Sequence, residues 1–175
     1  MIKKALAELG VFACGDLPIE EIRFYDEIRK ICEGNSCRAY GTNWVCPPAI
    51  GTLEECREKV NFFGKALLFN AVYELEDSFD VEGMYDARIE FKELCDKIHD
   101  HLKQPHPEHL LLSNGGCAIC EKCTYPTSPC RFPDKAYPAL EGYGVIVSEL
   151  AKTAGMKYIN GKDTVTYFGM ILYNE

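Results

Sequence analysis

The cysteines of this chain concentrate in two stretches, and the spacing in the second one could hold a metal centre. Two residues stand between Cys117 and Cys120 and two more between Cys120 and Cys123, and six residues separate Cys123 from Cys130. Thiolates at intervals of three let one tight loop wrap a cuboidal cluster, and a fourth cysteine closes the site. The pattern C-x2-C-x2-C…C therefore predicts a 4Fe–4S cluster held by these four side chains.

Structural zinc is the alternative for this second stretch. Zinc sites usually combine two C-x2-C-like pairs that lie a dozen or more residues apart. Here the third cysteine arrives after only two residues, so the spacing favours iron–sulfur and leaves zinc open. The longer gap before Cys130, and Arg131 after it, depart from the spacing of bacterial ferredoxins and argue against a simple ferredoxin.

The first stretch carries a less specific signal. Cys32, Cys37 and Cys46 lie within fifteen residues, with gaps of four and eight. Free cysteine is often simply a buried core residue, so spacing alone makes these three only candidate metal ligands. Three thiols are one short of a closed site. Cys14 or Cys130 could supply the fourth, or the position stays open, where a substrate could bind.

Other residues with metal-binding chemistry have simpler interpretations. Cys56 and Cys95 fall on the apolar faces of predicted helices, which favours a core role. Four histidines between positions 99 and 109 could hold zinc or nickel, but prolines interrupt the tract at a helix end, so a solvated helix terminus is favoured. These are His99, His101, His106 and His109.

Size and charge narrow the function classes. The chain has 175 residues and a net charge of −8, which predicts a single domain over 1–175 and argues against binding nucleic acid or an anionic membrane. Ten cysteines without a clear export signal favour a reducing compartment, and hence a cytoplasmic protein. The apolar residues before Cys14 have the faint outline of a lipoprotein signal, but Glu8 interrupts them and their spacing is helical.

The elements that must position these cysteines alternate between helices and strands. Two cysteine-rich loops, 32–51 and 117–138, interrupt them. The pattern predicts an α+β fold, a two-layer sandwich in which one small sheet is backed by helices. Helices are predicted over 1–12, 82–103 and 139–154, with two shorter ones that begin at Asp26 as N-cap and at a Thr52–Glu55 capping box. Strands are predicted over 65–75, 109–113 and 164–173, and a weak one over 22–24.

Three segments together resemble a known family. The segments CRAYGTNWVCPPAIGTLEE, GGCAICEKCTYPTSPCRFPDKAYPALEGYGVIV and TYFGMILY are similar to the uncharacterised family of predicted metal-binding proteins, over roughly residues 20–173. The resemblance implies metal binding, with iron–sulfur at the four cysteines of the second stretch and Cys32, Cys37 and Cys46 as another group. It implies no defined reaction. The segment 139–142 departs mildly from the family pattern without affecting any ligand.

Three functional hypotheses follow. The leading one is a 4Fe–4S protein, with a second cluster left open, that transfers electrons to a redox partner protein. The second is a metalloenzyme that uses an open metal position near Cys32, Cys37 and Cys46, and the third is a zinc-stabilised interaction module. The chain has no P-loop, no G-x-G-x-x-G and no G-x-S-x-G motif. No feature of the sequence indicates an oligomeric state.

Overall fold

The structure is a computed structural model that describes residues 2–174. Its helices are α1 (Ile2–Leu9), α2 (Asp26–Glu33), α3 (Leu53–Asn61), α4 (Val81–Leu102) and α5 (Val147–Thr153). Its strands are β1 (Ala13–Leu17), β2 (Lys65–Glu74), β3 (His109–Leu112) and β4 (Thr164–Tyr173). Short 3₁₀ turns cover Ile19–Glu21, Pro133–Lys135 and Glu141–Tyr143. The predicted α+β class is confirmed.

The four strands form one antiparallel sheet in the order β1-β2-β4-β3. β2 and β4 are its long central strands, each of ten residues, and they pair along their whole length. Phe69 of β2 lies opposite Gly169 of β4. A Cβ on Gly169 would come 2.4 Å from the Phe69 ring, so glycine at this position makes room for the aromatic side chain in the sheet.

Helices cover both faces of the sheet. One core cluster joins Leu68 and Met170 to residues of α3 and α5. The other joins Phe69 and Ile171 to residues of α1 and α4. The expected two-layer sandwich would leave one face bare, whereas the central strands are apolar on both faces and need a cover on each.

Three local predictions differ from the structure. The weak strand at 22–24 is absent from this segment, and the edge strand β1 at Ala13–Leu17 was not predicted. The helix predicted over 139–154 is split into a 3₁₀ turn and α5 by Gly144, which has a φ of +72°. A Cβ there would also come 2.6 Å from Leu53, so the chain turns at a glycine and not through a helix.

Among residues 2–174, no helix is both long and apolar enough to cross a membrane.

Candidate metal centre

Backbone hydrogen bonds at the end of β3 hold the two cysteine-rich stretches next to each other. The Leu140 amide donates to the Ser113 carbonyl at 2.7 Å, and the Ser113 amide donates to Pro138 at 2.9 Å. The Ala139 amide donates to the Val45 carbonyl at 2.8 Å. Val45 belongs to the first cysteine loop (residues 32–51), and Ala139 directly follows the second cysteine loop (residues 117–138). Both loops are therefore anchored on the same strand end.

The second cysteine loop surrounds a small cavity. All four cysteines of the C-x2-C-x2-C…C pattern line it, together with Trp44 and Val45 from the first loop. Its open volume is about 20 Å³. The lining cysteines are Cys117, Cys120, Cys123 and Cys130.

Hydrogen bonds and a ring contact fix the second loop against Trp44. The Trp44 indole N–H donates to the Thr124 hydroxyl at 3.3 Å, and that hydroxyl donates to the Pro129 carbonyl at 2.9 Å. Trp44 also meets Tyr125 edge-to-face, with ring centroids 4.9 Å apart. The Arg131 guanidinium closes the loop by donating to the Lys122 carbonyl at 3.0 Å. Trp44 thus forms part of the wall of this cavity.

The first cysteine loop faces a wider cavity of about 360 Å³. Cys32, in the last turn of α2, lines it together with Cys37 and Cys46. Buried Asn43 shapes the loop, because its side chain donates to the Ala39 carbonyl and accepts from the Val45 amide, both at 3.0 Å.

Cys117 lies at the wall between the two cavities and lines both. Cys14, by contrast, lies on β1, where it interacts with the charges of Lys3 and Asp16. Cys130 lines the second-loop cavity. The cysteine that accompanies Cys32, Cys37 and Cys46 in this structure is therefore Cys117, which the spacing argument had assigned to the second loop alone.

The thiols share cavities without converging on a point. Among residues 2–174, no group of three or more Cys, His, Asp or Glu side chains is already arranged to hold a metal ion.

Burial shapes the protonation of the thiols. It raises the pKa of Cys46 to about 11, with smaller contributions from Cys37 and Glu141. Burial also raises the pKa of Cys32 and of Cys117, and neighbouring cysteines add to both shifts. Because metals bind thiolates, a metal that enters these cavities must displace protons from the thiols.

Three basic side chains surround the cysteine loops without an acidic ion-pair partner among the described residues. Arg29 is 8% exposed and donates to the carbonyls of Gly51 and Gly142, the first of which ends the first loop. Lys92 donates to the Ser113 hydroxyl at 3.0 Å and to the Asn114 carbonyl. Arg88 lies one turn before Lys92 on α4 and lines the first-loop cavity. Sequence reasoning missed these residues, because their approach to the cysteine loops depends on contacts between segments that are distant in the sequence.

The remaining cysteines and the histidines lie elsewhere. Cys56 and Cys95 are fully buried in the two core clusters, which confirms the core interpretation. His99 Nδ1 lies 2.8 Å from His109 Nε2, and both rings are half-buried, so the expected solvated terminus describes only the exposed His101. Burial lowers the pKa of both paired histidines.

Residues 15–173 match a family described as predicted metal-binding protein. No curated protein and no solved structure matches the chain.

Proposed function

The chain belongs to the family of predicted metal-binding proteins, and we propose that it is a cytoplasmic, single-domain protein whose second cysteine loop binds a 4Fe–4S cluster. The ligands in this proposal are Cys117, Cys120, Cys123 and Cys130. Bound there, the cluster would accept and release one electron at a time, which suits transfer to a redox partner protein.

The observation that carries this proposal is that all four cysteines of the specific motif line one cavity. Three of them are close in sequence. The loop that brings Cys130 back to the same cavity contains hydrogen bonds from the Thr124 hydroxyl to the Pro129 carbonyl and from Arg131 to the Lys122 carbonyl. Four thiols at one cavity supply the complete donor set of a cysteine-ligated cluster.

The charge beside the cavity supports an anionic occupant. Lys92 and Cys117 line a neighbouring cavity together with Glu93 and the Lys135–Asp96 ion pair, and Lys92 is held against the strand end that precedes the second loop. Within the described residues no carboxylate forms an ion pair with it. A half-buried cation without a carboxylate partner is stabilised by negative charge close by, and a cluster with four thiolates supplies it. The same cation favours the reduced form of such a cluster, because reduction adds negative charge next to it.

A single zinc ion is the second candidate, and the volume of the cavity favours it. About 20 Å³ accommodates roughly one water-sized particle. Four thiolates around one zinc ion would stabilise the loop and give an interaction module without redox chemistry.

Metal analysis of protein made and kept without oxygen separates the two candidates. The cluster proposal predicts a brown protein, with broad absorption near ~400 nm and iron and labile sulfide in equal amounts. It also predicts a reversible one-electron redox titration. A colourless protein with stoichiometric zinc and no sulfide would overturn the cluster and establish the zinc module.

A further inference from the structure

The cavity of the first cysteine loop contains features that metal binding by the second loop does not use. It is about 360 Å³ in volume, within the range typical of small-molecule sites. Besides the thiols, Arg38, Arg88 and Glu141 line it. We infer that this cavity binds a small organic molecule with a carboxylate group, and that Arg88 binds the carboxylate.

Arg88 has the unused hydrogen-bonding capacity that such a ligand requires. Its Nε atom is buried and has no hydrogen-bond partner within residues 2–174. Its guanidinium carbon lies 5.3 Å from the centre of the Tyr85 ring, so the group packs against an aromatic face and not against an acid. A buried N–H without a hydrogen-bond acceptor is unfavourable, so the site gains from a ligand that brings acceptor oxygens close to this guanidinium.

Among the described residues that line this cavity, the one acidic side chain is Glu141, and it is hydrogen-bonded to the backbone. Glu141 accepts a hydrogen bond from the Gly115 amide at 3.1 Å and forms no ion pair with Arg88 among the described residues. Arg38, exposed in the first loop, adds a second positive charge. The guanidinium of Arg88 is therefore available to a ligand.

The chemistry of the site favours a small organic molecule that carries a carboxylate group. A guanidinium binds a carboxylate through two parallel N–H···O bonds, and within residues 2–174 Arg88 forms no hydrogen bond or ion pair that would compete for them. Alanine, proline and glycine residues form much of the remaining lining, and such a lining suits the carbon atoms of a ligand better than a second charged group. These are Ala39, Pro47, Ala139, Gly115, Gly116 and Gly142.

This inference goes beyond the proposed cluster and does not require it. A metal at Cys32, Cys37 and Cys46 with an open position would lie in the same cavity as the ligand, so the two could act together. Carboxylate binding through Arg88 can nevertheless be measured with or without metal, and metal content can be measured without ligand.

The test is a titration of the full chain with acetate, succinate and benzoate, each compared with its neutral amide. Calorimetry gives the affinity, and the ¹H–¹⁵N signal of the Arg88 Nε reports the contact. We expect at least one carboxylate to bind with a Kd of about 1 mM or tighter, its amide not to bind, and the Nε signal to shift. Arg88→Gln should weaken binding at least about tenfold, and Arg88→Lys, which keeps the charge without the fork, should weaken it less.

Arg57→Gln is the matched control, because Arg57 lies on α3 in an exposed ion pair with Glu54 and should leave the affinity unchanged. If Arg88→Gln does not fold, Arg88→Lys decides the question, since an affinity equal to that of the native chain would overturn the inference. The inference is also overturned if none of the three carboxylates binds, if only inorganic phosphate binds, or if Arg88→Gln loses metal but keeps carboxylate affinity. Metal content measured in parallel shows separately whether the cluster proposal fails.

Discussion

The two cysteine loops lie against the same strand end, yet they are built differently. The second loop gathers four thiols from fourteen consecutive residues around about 20 Å³, whereas the first presents three thiols to about 360 Å³ together with two arginines. A compact loop with a full set of thiols suits a closed centre. The wide cavity shares its fourth thiol, Cys117, with the second-loop cavity and is also lined by Arg38 and Arg88, which suits a site that takes a ligand. On these two proposals, the local spacing of the cysteines distinguishes the loop that holds a metal from the cavity that binds a ligand.

Removing single thiols tests this comparison with the largest expected effect. Cys120→Ser should abolish metal binding at the second loop, because it leaves three thiols where four are needed. Cys37→Ser should leave that metal in place. Iron, sulfide and zinc content of the two variants checks the prediction. Equal loss in both variants would mean that the two loops form one centre, joined through Cys117.

Replacing Arg29 tests how much its hydrogen bonds stabilise the first loop. Arg29→Met removes a charged donor from the buried Gly142 carbonyl and the half-buried Gly51 carbonyl, so we expect a loss of about 3 kcal/mol in the free energy of unfolding. Metal at the second loop should remain once the protein is folded. Urea denaturation measures the loss, and Lys30→Met, at an exposed position on α2, should change stability by less than about 0.5 kcal/mol. Similar values for the two variants would show that Arg29 does not brace the loop.

Local signals in the sequence predicted much of the fold. The capping box at Thr52 and Glu55 is present, with both of its hydrogen bonds, and α3 begins where it predicts. The apolar runs of β2, β3 and β4 were predicted to within about one residue. β1 was missed because its sequence, ACGDL, contains Gly15 and Asp16, which rarely favour strands. It is a strand because it pairs with the exposed edge of β2, a contact that no local pattern reveals.

The candidate site, like the fold, was predictable from the sequence only in part. The four cysteines of the second loop could be grouped from spacing, because one loop carries them. The position of Cys117 between two cavities, and the approach of Arg88 and Lys92 from α4, depend on how distant segments meet at Ser113. Spacing also suggested Cys14 as a partner for the first loop, but Cys14 is part of β1.

Cys95 provides a thiol that lies outside both loops. It is fully buried on α4 and donates to the Ser113 hydroxyl at 3.4 Å. Cys95→Ala should keep full metal content and lower stability by about 1 kcal/mol, since it leaves a small cavity in the core. Thermal unfolding together with metal analysis checks both parts. Loss of metal from a folded variant would make Cys95 a ligand and weaken the distinction between loop and core thiols.

The histidine pair at the end of α4 lies away from the loops, and we expect its replacement to have the smallest effect on stability. Burial lowers the pKa of His99 and His109 below the ordinary value of 6.5, so the folded state favours neutral rings. Their contribution to stability is fully present above about pH 6.5 and is lost as the pH falls from that value through the lower pKa of the folded state. His109→Gln should flatten this part of the stability–pH curve, while His101→Gln, on the exposed side of α4, should not. An unchanged curve in His109→Gln would show that the histidine pair does not cause the acid sensitivity.

X-ray absorption on the second loop alone tests the central claim most directly. The measurement uses anaerobic protein carrying Cys37→Ser and Cys46→Ser, so that metal at the first loop is removed. The account predicts iron surrounded by sulfur, with further iron atoms as the next neighbours, as in a cluster held by four cysteines. Zinc bound by four sulfurs at about 2.3 Å, with no iron present, would contradict it.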